Sequence, residues 1–384
     1  MSHLYVHTPF CLSKCAYCAL RSSAIAQSAI PADFPDLIVR EFTLRSASLP
    51  PFRPSTIYFG GGTPAMLGVD GLERLARALA AVGVVPVPNC EWTVEFNPSP
   101  SLFSPELLER LLAVGVNRAS IGVQSLDDSV LARVGRIHNA AEAEKAVAVA
   151  KAAGFGSVGI DLIAGLPGDD DAKWRATLDR AIALGVQHIS VYALTVEEGT
   201  PLAAAVAANS VRLPGDDAML ARLAAAEEAL AKAGFHRYEI SNYALPGHEC
   251  RHNLACWRGE DYLGLGPGAS SRTGLMRRTN SQDWRKWREA VLASRLPPAD
   301  DEDTLTSADD AEERFVFGLR MEEGVSPAGF ATRFPSAAQH VARWEKALAA
   351  LAAVGIVSEI SAGRWALTGR GREVADSAIE RLLQ

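Results

Sequence analysis

Three of the six cysteines lie close together near the start of the chain, and their spacing is its strongest chemical signal. Cys11, Cys15 and Cys18 form a CxxxCxxC arrangement. Three thiolates on so short a loop can converge on one soft metal centre. A structural zinc site needs four ligands, whereas three thiolates leave one iron of a [4Fe–4S] cluster open to an external ligand. Two alternatives stay open at this point: a zinc site completed by His7, and a redox pair of Cys15 and Cys18.

A glycine run and several polar side chains follow later apolar segments. Residues 60–64 read GGGTP, and consecutive glycines let a backbone approach a ligand closely. Polar side chains then recur at or just after the next apolar segments, at Glu95, Asn97, Gln124 and Asp161. A carboxylate suits a pair of ribose hydroxyls, and the guanidinium of Arg136 suits a carboxylate.

Short apolar runs alternate with amphipathic stretches through the first two thirds of the chain, and these elements must position the polar groups. The candidate strands are residues 4–7, 56–59, 92–96, 119–123, 158–163 and 188–194, and candidate helices include 71–82, 105–114, 140–153 and 173–184. Six strand–helix alternations predict an α/β fold with a parallel sheet and right-handed crossovers. A partial (βα)6 barrel and a doubly wound sheet both satisfy the pattern. In either fold the functional groups lie at the C-terminal ends of the strands.

The chain changes character after residue 240. Residues 241–271 are rich in Gly, Pro, His and Cys, which predicts ordered loop, and the acidic residues 300–303 after two prolines predict a linker. Three helices are expected at 311–321, 340–353 and 372–383, with a small hairpin at 355–367. This pattern predicts a helical, winged-helix-like module over residues 305–384.

Composition and charge favour some classes of protein and disfavour others. The chain has 384 residues, a formal net charge of −7, 48% hydrophobic and 22% charged residues, which is typical of a globular protein with two or three domains. An acidic balance disfavours general binding to nucleic acid or to anionic membranes. No segment approaches the roughly 18 consecutive apolar residues of a spanning helix, and the chain starts without a targeting signal. We therefore expect a cytoplasmic protein, and clustered thiols agree with a reducing compartment.

The cysteine loop resembles that of radical S-adenosylmethionine (SAM) proteins. Within that superfamily, YVHTPFC at residues 5–11 and Tyr17-Cys18 resemble the oxygen-independent coproporphyrinogen oxidase branch. The resemblance implies a partial (βα)6 barrel over residues 1–240 and a [4Fe–4S] cluster whose open iron is chelated by SAM. It also implies that cofactors are contacted by Tyr5, Tyr17, Gly61, Gly62, Thr63, Glu95, Gln124, Arg136 and Asp161.

The resemblance assigns roles to some of these side chains. Gln124 and Asp161 would hold the ribose side of SAM, Arg136 would hold the methionine carboxylate, and Glu95 would lie near the amino-acid end.

A second motif indicates which group of proteins within this branch the chain resembles. HNLACW at residues 252–257 resembles the HNxxYW signature of HemW-type haem chaperones, which bind haem and deliver it to apo-haemoproteins. The resemblance implies haem contact by His252, Asn253 and Trp257 within an extension over residues 241–296. A neutral imidazole on an exposed loop can ligate haem iron, and an indole can stack on a porphyrin. The alternative for His252 is a side chain merely hydrogen-bonded to the backbone.

The chain departs from the family pattern at several positions. Cys256 stands where the signature has tyrosine, and Ser270 stands where a Gly-Ala-His-Ser loop would place histidine. A coproporphyrinogen decarboxylase would carry a fourth cysteine where this chain has Leu20, and a long extension where only three residues precede Leu4. Both features disfavour the decarboxylase.

The leading expectation is a haem chaperone that binds a [4Fe–4S] cluster, SAM and haem. Its expected partners are apo-haemoproteins and a low-potential electron donor of the ferredoxin or flavodoxin type, and a homodimer is an open alternative. The rival is a radical enzyme that abstracts hydrogen from a tetrapyrrole or another substrate, for decarboxylation, methyl transfer or ring opening. The third hypothesis is a zinc-stabilised barrel without cofactor chemistry.

Overall fold

A mixed sheet of twelve strands organises the computed structural model, which describes residues 2–46 and 52–383. The strands, in chain order, are β1 (His3–Thr8), β2 (Phe10–Cys11), β3 (Ser23–Ala24), β4 (Thr56–Gly61), β5 (Glu91–Phe96), β6 (Arg118–Gln124), β7 (Ser157–Ala164), β8 (His188–Ala193), β9 (His236–Arg237), β10 (Asn242–Ala244), β11 (Tyr262–Leu265), β12 (Ser270–Thr273), β13 (Met276–Asn280), β14 (Ala299–Thr304), β15 (Val357–Ser361) and β16 (Arg364–Leu367). Strands β2 and β3 form one small separate sheet, and β15 and β16 form another.

Fifteen α-helices connect and cover these strands in the described part of the chain. They are α1 (Phe34–Ser46), α2 (Gly68–Ala81), α3 (Pro105–Ala113), α4 (Asp128–Arg133), α5 (Ala140–Ala153), α6 (Asp171–Ala183), α7 (Pro201–Ala207), α8 (Asp216–Lys232), α9 (Arg251–Trp257), α10 (Trp284–Leu292), α11 (Ser307–Gly318), α12 (Pro327–Arg333), α13 (Val341–Ala353), α14 (Gly369–Glu373) and α15 (Ala375–Leu383). Short 3₁₀ turns lie at Gln27–Ala29, Pro64–Leu67 and Pro335–His340.

Six parallel strands in sequential order form the barrel. The order is β1-β4-β5-β6-β7-β8, and one or two helices lie between each pair of consecutive strands. The six predicted strands are confirmed to within two residues at each end. A doubly wound sheet is wrong, because its strand order would reverse at a switch point, whereas this order runs in one direction only.

The predicted helix signals act as expected. The Ser104 side chain caps α3 by accepting a hydrogen bond from the Leu107 amide at 3.2 Å, and Asn139 forms a capping box with Glu142 at the start of α5. Gly154 ends α5 with a positive φ of 94°. The helices bury their apolar faces against the barrel strands in one large hydrophobic core.

Two sequence-based expectations after residue 240 are wrong. Residues 241–271, predicted as loop, contain β10, α9, β11 and the start of β12. Residues 300–303, predicted as a linker, belong to β14, which pairs antiparallel with β13 at the edge of the sheet. The cause is cross-strand charge: Arg277 and Arg278 of β13 lie opposite Asp303 and Glu302 of β14 and form ion pairs with them.

The C-terminal module has its own core, which lies between its helices and a hairpin. Phe315 of α11 stacks on Trp344 of α13, with ring centres 3.7 Å apart, and both are fully buried. Strands β15 and β16 form the predicted hairpin. Within the part of the chain that the structure describes, no helix combines the length and the apolar character needed to cross a membrane.

Candidate functional site

A cavity of about 450 Å³ opens at the C-terminal ends of the barrel strands, and we call it the cluster cavity. Eleven of the fifteen predicted site residues line it: Cys11, Cys15, Tyr17, Cys18, Gly61, Gly62, Thr63, Glu95, Gln124, Arg136 and Asp161. These side chains come from the cysteine loop, from strands β4 to β7, and from segments that follow them. The structure therefore brings the cysteines and most predicted SAM contacts into one site.

The backbone holds the cysteine loop at several points. Thr63 N donates to Phe10 O at 2.8 Å, and Ile25 N donates to Cys11 O at 2.9 Å. Further along the loop, Ala16 N donates to Val134 O at 3.0 Å and Ala16 O accepts from Leu202 N at 2.9 Å. These bonds hold the loop against the barrel rim, so the three thiols face the cavity from a fixed support.

The three thiols are available as ligands for a soft metal centre. All three are free and half-buried. Across residues 2–46 and 52–383, no three His, Cys, Asp or Glu side chains are gathered tightly enough to ligate one metal ion. Three thiolates on one loop can each bind one iron of a [4Fe–4S] cluster and leave the fourth iron open.

Donor groups beside the thiols also fit a cluster. The Arg136 Nη1 donates to Cys15 Sγ at 3.5 Å, and the Thr63 hydroxyl donates to Cys11 Sγ at 3.7 Å. Hydrogen bonds to sulfur stabilise thiolates and tune Fe–S clusters.

His7 is occupied by other partners, which contradicts the zinc alternative. Its Nδ1 accepts from the Tyr5 hydroxyl at 2.8 Å, and its Nε2 donates to Arg21 O at 2.8 Å. Neither ring nitrogen is free to ligate zinc. Tyr5 itself does not line the cluster cavity; it supports His7, and the His7 ring lies directly beneath Gly61.

A buried carboxylate forms the floor beneath the glycine run. Glu95 accepts from the Tyr58 hydroxyl at 2.7 Å and from the Gly61 amide at 3.0 Å. Burial, together with the nearby Asp161, raises the pKa of Glu95 to about 7. Burial likewise raises the pKa of Asp161. An ammonium group bound in the cavity would favour the charged form of both.

Two polar atoms in the cavity wall have no hydrogen-bond partner within residues 2–46 and 52–383. They are Gln124 Oε1 and Arg136 Nε, and both are buried. Gln124 has a φ of 69°, which is unusual for glutamine, and it lies at an irregularity in the pairing of β6 with β7. A buried unpaired donor and acceptor beside carboxylates are what a polar, zwitterionic ligand would satisfy.

The residues of the HNLACW motif lie elsewhere. His252 is in α9 and only 4% exposed, so the expectation of an exposed loop is wrong. Its Nδ1 bonds the Thr56 hydroxyl at 2.8 Å, and its ring packs on Tyr58. Thr56 begins β4, so His252 lies at the N-terminal end of the barrel, opposite the cysteines. Burial lowers the pKa of His252 to about 3, which keeps the imidazole neutral.

The remaining motif residues also lie outside the cluster cavity. Trp257 is half-buried against Phe317 of the C-terminal module, with ring centres 5.8 Å apart. Asn253 is half-buried beside it in α9. Cys256 lines a separate cavity of about 390 Å³ that also contains Trp257 and Ser270. Haem contact by His252, Asn253 and Trp257 stays a prediction.

Sequence reasoning missed several side chains that shape the site. Tyr58 donates to Glu95, Ser190 lies opposite Asp161 in the pairing of β7 with β8, and Ser120 and Tyr192 line the cavity. The signal was present as alternation, because inward-facing side chains recur every second residue along a barrel strand. Tyr58, Ser120 and Ser190 are polar side chains within otherwise apolar strands.

Comparison with known proteins identifies the family. Residues 5–181 match the radical SAM superfamily, and residues 305–374 match the HemN C-terminal domain. A protein from Mycobacterium tuberculosis named "Heme chaperone HemW" is 37% identical over 99% of this chain and 94% of its own length. A protein of that name from Bacillus subtilis is 31% identical over 87% of each chain.

A solved structure shares the fold over nearly the whole chain. Coproporphyrinogen III oxidase (HemN) from Escherichia coli, described as a radical SAM enzyme, superimposes with a TM-score of 0.85 at 23% identity, covering 99% of this chain and 90% of that one. The barrel and the module that follows it therefore have a known common architecture. The chain belongs to the HemW family of the radical SAM superfamily.

Proposed function

We propose that this protein is a haem chaperone: it binds a [4Fe–4S] cluster, SAM and haem, and passes haem to apo-haemoproteins. One observation carries the proposal. A chain that matches a heme chaperone along 99% of its length also has, in one cavity, the thiols, carboxylates and unpaired polar atoms that a cluster and SAM require.

The residues of the cluster cavity have distinct tasks in this proposal. Cys11, Cys15 and Cys18 hold three irons, and Arg136 and Thr63 stabilise the thiolates. Glu95, oriented by Tyr58, takes the ammonium of SAM. When bound, SAM and a reduced cluster supply one-electron chemistry at the open iron.

The carboxylate and the ribose of SAM also have partners in the cluster cavity. Arg136 donates through its terminal nitrogens to Cys15 Sγ and to the Gly122 carbonyl and offers its Nε to the carboxylate of SAM. Gln124 and Asp161 take the ribose side. Gln124 Oε1 and Arg136 Nε, which have no hydrogen-bond partner in the described part of the chain, would each gain one from the ligand.

The cellular setting is part of the proposal. The cluster needs a low-potential electron donor, and haem release needs an acceptor apo-haemoprotein. Cys11, Cys15, Cys18, Cys90, Cys250 and Cys256 are all free thiols, which a reducing, cytoplasmic compartment preserves. A homodimer is compatible with this function.

A catalytic radical enzyme is the second candidate, and one feature favours it. The large apolar side chains of Leu20, Ile137 and Tyr192 line the cluster cavity yet are 57%, 37% and 40% exposed. An exposed apolar rim around a reactive centre suits an apolar substrate.

An anaerobic haem titration separates the two functions. Full-length protein with a reconstituted cluster is titrated with haemin, followed at the Soret band, and then mixed with apomyoglobin as an acceptor. The chaperone predicts saturable binding and transfer of unchanged haem. A protein that holds its cluster but binds no haemin, and that forms 5′-deoxyadenosine in proportion to a modified tetrapyrrole, is the radical enzyme instead.

A further inference from the structure

A second cavity, of about 480 Å³, lies where the C-terminal module meets the end of α9. We call it the arginine cleft. Four arginines line it, at Arg258, Arg314, Arg333 and Arg364, against one acidic side chain, Glu323. Arg258 follows the last residue of α9, the helix that carries the HNLACW motif, and the other three arginines belong to the C-terminal module.

The positive charge of the arginine cleft is only partly neutralised. Arg258 pairs with Glu323 at 3.1 Å, and Arg314 pairs with Asp310 at 2.9 Å. Arg364 donates to the carbonyls of Glu323 and Gly324, at 3.0 and 2.9 Å, and pairs with no carboxylate among the described residues. Arg333 has no ion-pair partner among the described residues and is exposed. Two guanidinium groups therefore remain to receive an anion.

The rest of the wall is apolar and aromatic. Phe330 and Phe334 lie together with ring centres 4.7 Å apart, and the Arg333 guanidinium lies 5.1 Å from the centre of the Phe334 ring. Met321 and Val325 are buried in the wall. Such a surface fits a ligand with a flat apolar body and acidic groups at one edge.

The neighbouring cavity around Cys256 has the wrong charge for such a ligand. Its three arginines are paired: Arg272 with Asp310 and Glu313, Arg277 with Asp303, and Arg278 with Glu302. Asp301 and Glu313 also line it. A ligand with two carboxylates would find every arginine there already paired and would meet the carboxylate of Asp301, which is unpaired within the described residues, whereas the arginine cleft offers unpaired cations.

From this geometry we infer that the arginine cleft is the haem site: the two propionates bind Arg333 and Arg364, and the macrocycle packs on Phe330 and Phe334. The inference rests on the proposed function, since haem is the amphipathic dicarboxylate that a haem chaperone carries. It places haem at the junction of α9 and the C-terminal module, away from the buried His252 and from the cluster cavity.

The experiment compares Arg333→Gln with Arg370→Gln in the full-length protein. Arg370 is an exposed arginine of α14 without an ion pair among the described residues, so both variants change the net charge equally. Each protein is titrated with haemin and with haemin dimethyl ester, in which the propionates carry no charge.

We expect about tenfold weaker haemin binding for Arg333→Gln, which corresponds to one charged hydrogen-bonded contact, and unchanged binding for Arg370→Gln. Wild type should bind the dimethyl ester more weakly than haemin. This difference in affinity between the two ligands should be smaller for Arg333→Gln. Haemin affinity that is equal in wild type and Arg333→Gln overturns the site but leaves the chaperone function intact. Wild type that binds neither ligand overturns the proposed function as well.

Discussion

Individual atoms in the cluster cavity show that it is built for a ligand. Leaving a buried donor or acceptor unpaired costs about 1–3 kcal/mol, and Gln124 Oε1 and Arg136 Nε both lack a partner within the described residues. The buried carboxylate of Glu95 adds a third unfavourable group, because burial disfavours its charge. A ligand that supplies an ammonium and a carboxylate would relieve all three.

Cys15→Ser should abolish the cluster without unfolding the chain. A serine hydroxyl is a poor ligand for iron, and two thiolates cannot hold the cube. After anaerobic reconstitution we expect roughly four iron atoms per wild-type chain and a large loss in the variant. The matched control is Cys90→Ala, at a buried thiol that does not line the cluster cavity. Equal iron in Cys15→Ser and wild type would contradict the assignment of the ligands.

Glu95→Gln should change how stability depends on pH. The folded-state pKa of Glu95 is raised to about 7, above its unfolded value, so the folded state holds its proton longer as pH rises. The free energy of unfolding should therefore fall as pH rises from about 4.5 to about 7, by about 2 kcal/mol more in wild type than in Glu95→Gln. Urea denaturation of both proteins across this range measures the difference. Parallel stability curves would show that the carboxyl of Glu95 is not perturbed.

At the scale of elements, the close packing of neighbouring segments at the C-terminal end of the barrel restricts which residues can occupy them. The glycine run at the end of β4 can lie on β1 only because Gly61 has no side chain. A Cβ there would lie 2.5 Å from the His7 ring, and the φ of Gly61 is 102°. Close approach of the His7 ring to the backbone, rather than turn formation alone, explains the glycine.

Gly61→Ala should destabilise the protein more than an equally strained glycine elsewhere. Gly83 has a nearly equal φ of 98°, but a Cβ there meets nothing within 4 Å. We expect Gly83→Ala to cost about 1 kcal/mol from backbone strain alone, and Gly61→Ala to cost about 3 kcal/mol because overpacking adds to the strain. Thermal denaturation of both variants and SAM binding to each would test this. Similar losses of stability in Gly61→Ala and Gly83→Ala would mean that His7 moves aside at little cost in free energy.

At the scale of the whole molecule, a buried ion pair joins the two cores. Arg272 of β12, at the sheet end, bonds Asp310 and Glu313 of α11 in the C-terminal module, and its side chain is 5% exposed. Removing one member of a buried pair leaves an uncompensated charge. The contact therefore couples the position of the module to the sheet.

Arg272→Ala should weaken this coupling strongly. Arg314 and Arg277 still pair with Asp310 and Glu313 in this variant, so we expect a loss near the lower end of the about 3–5 kcal/mol that follows removal of one partner of a buried pair. Arg74→Ala is the matched control, because Arg74 pairs with Asp36 on the surface and such pairs contribute less than about 1 kcal/mol. Limited proteolysis should cut the variant earlier between the barrel and the module. Equal stability of the two variants would show that the module docks without this ion pair.

The sequence by itself determined the six strands, and its resemblance to radical SAM proteins implied the barrel and most of the cluster cavity. Periodicity of apolar residues located the six strands, and the parallel order places their C-terminal ends on one side, so residues from Cys11 to Asp161 could be assigned to one site. Helix capping by Ser104 and Asn139 could also be predicted from the sequence, because these interactions span only three residues. Local spacing is sufficient wherever the deciding contacts are local or follow from strand direction.

Tertiary structure alone decided the position of the HNLACW motif and the path of residues 299–304. His252 is buried because α9 packs across the start of β4, where its partner Thr56 lies 196 positions earlier in the chain. The acidic segment becomes a strand because β13 presents arginines to it. Neither contact leaves a pattern in the segment itself, since the partner that determines burial or pairing lies elsewhere in the chain.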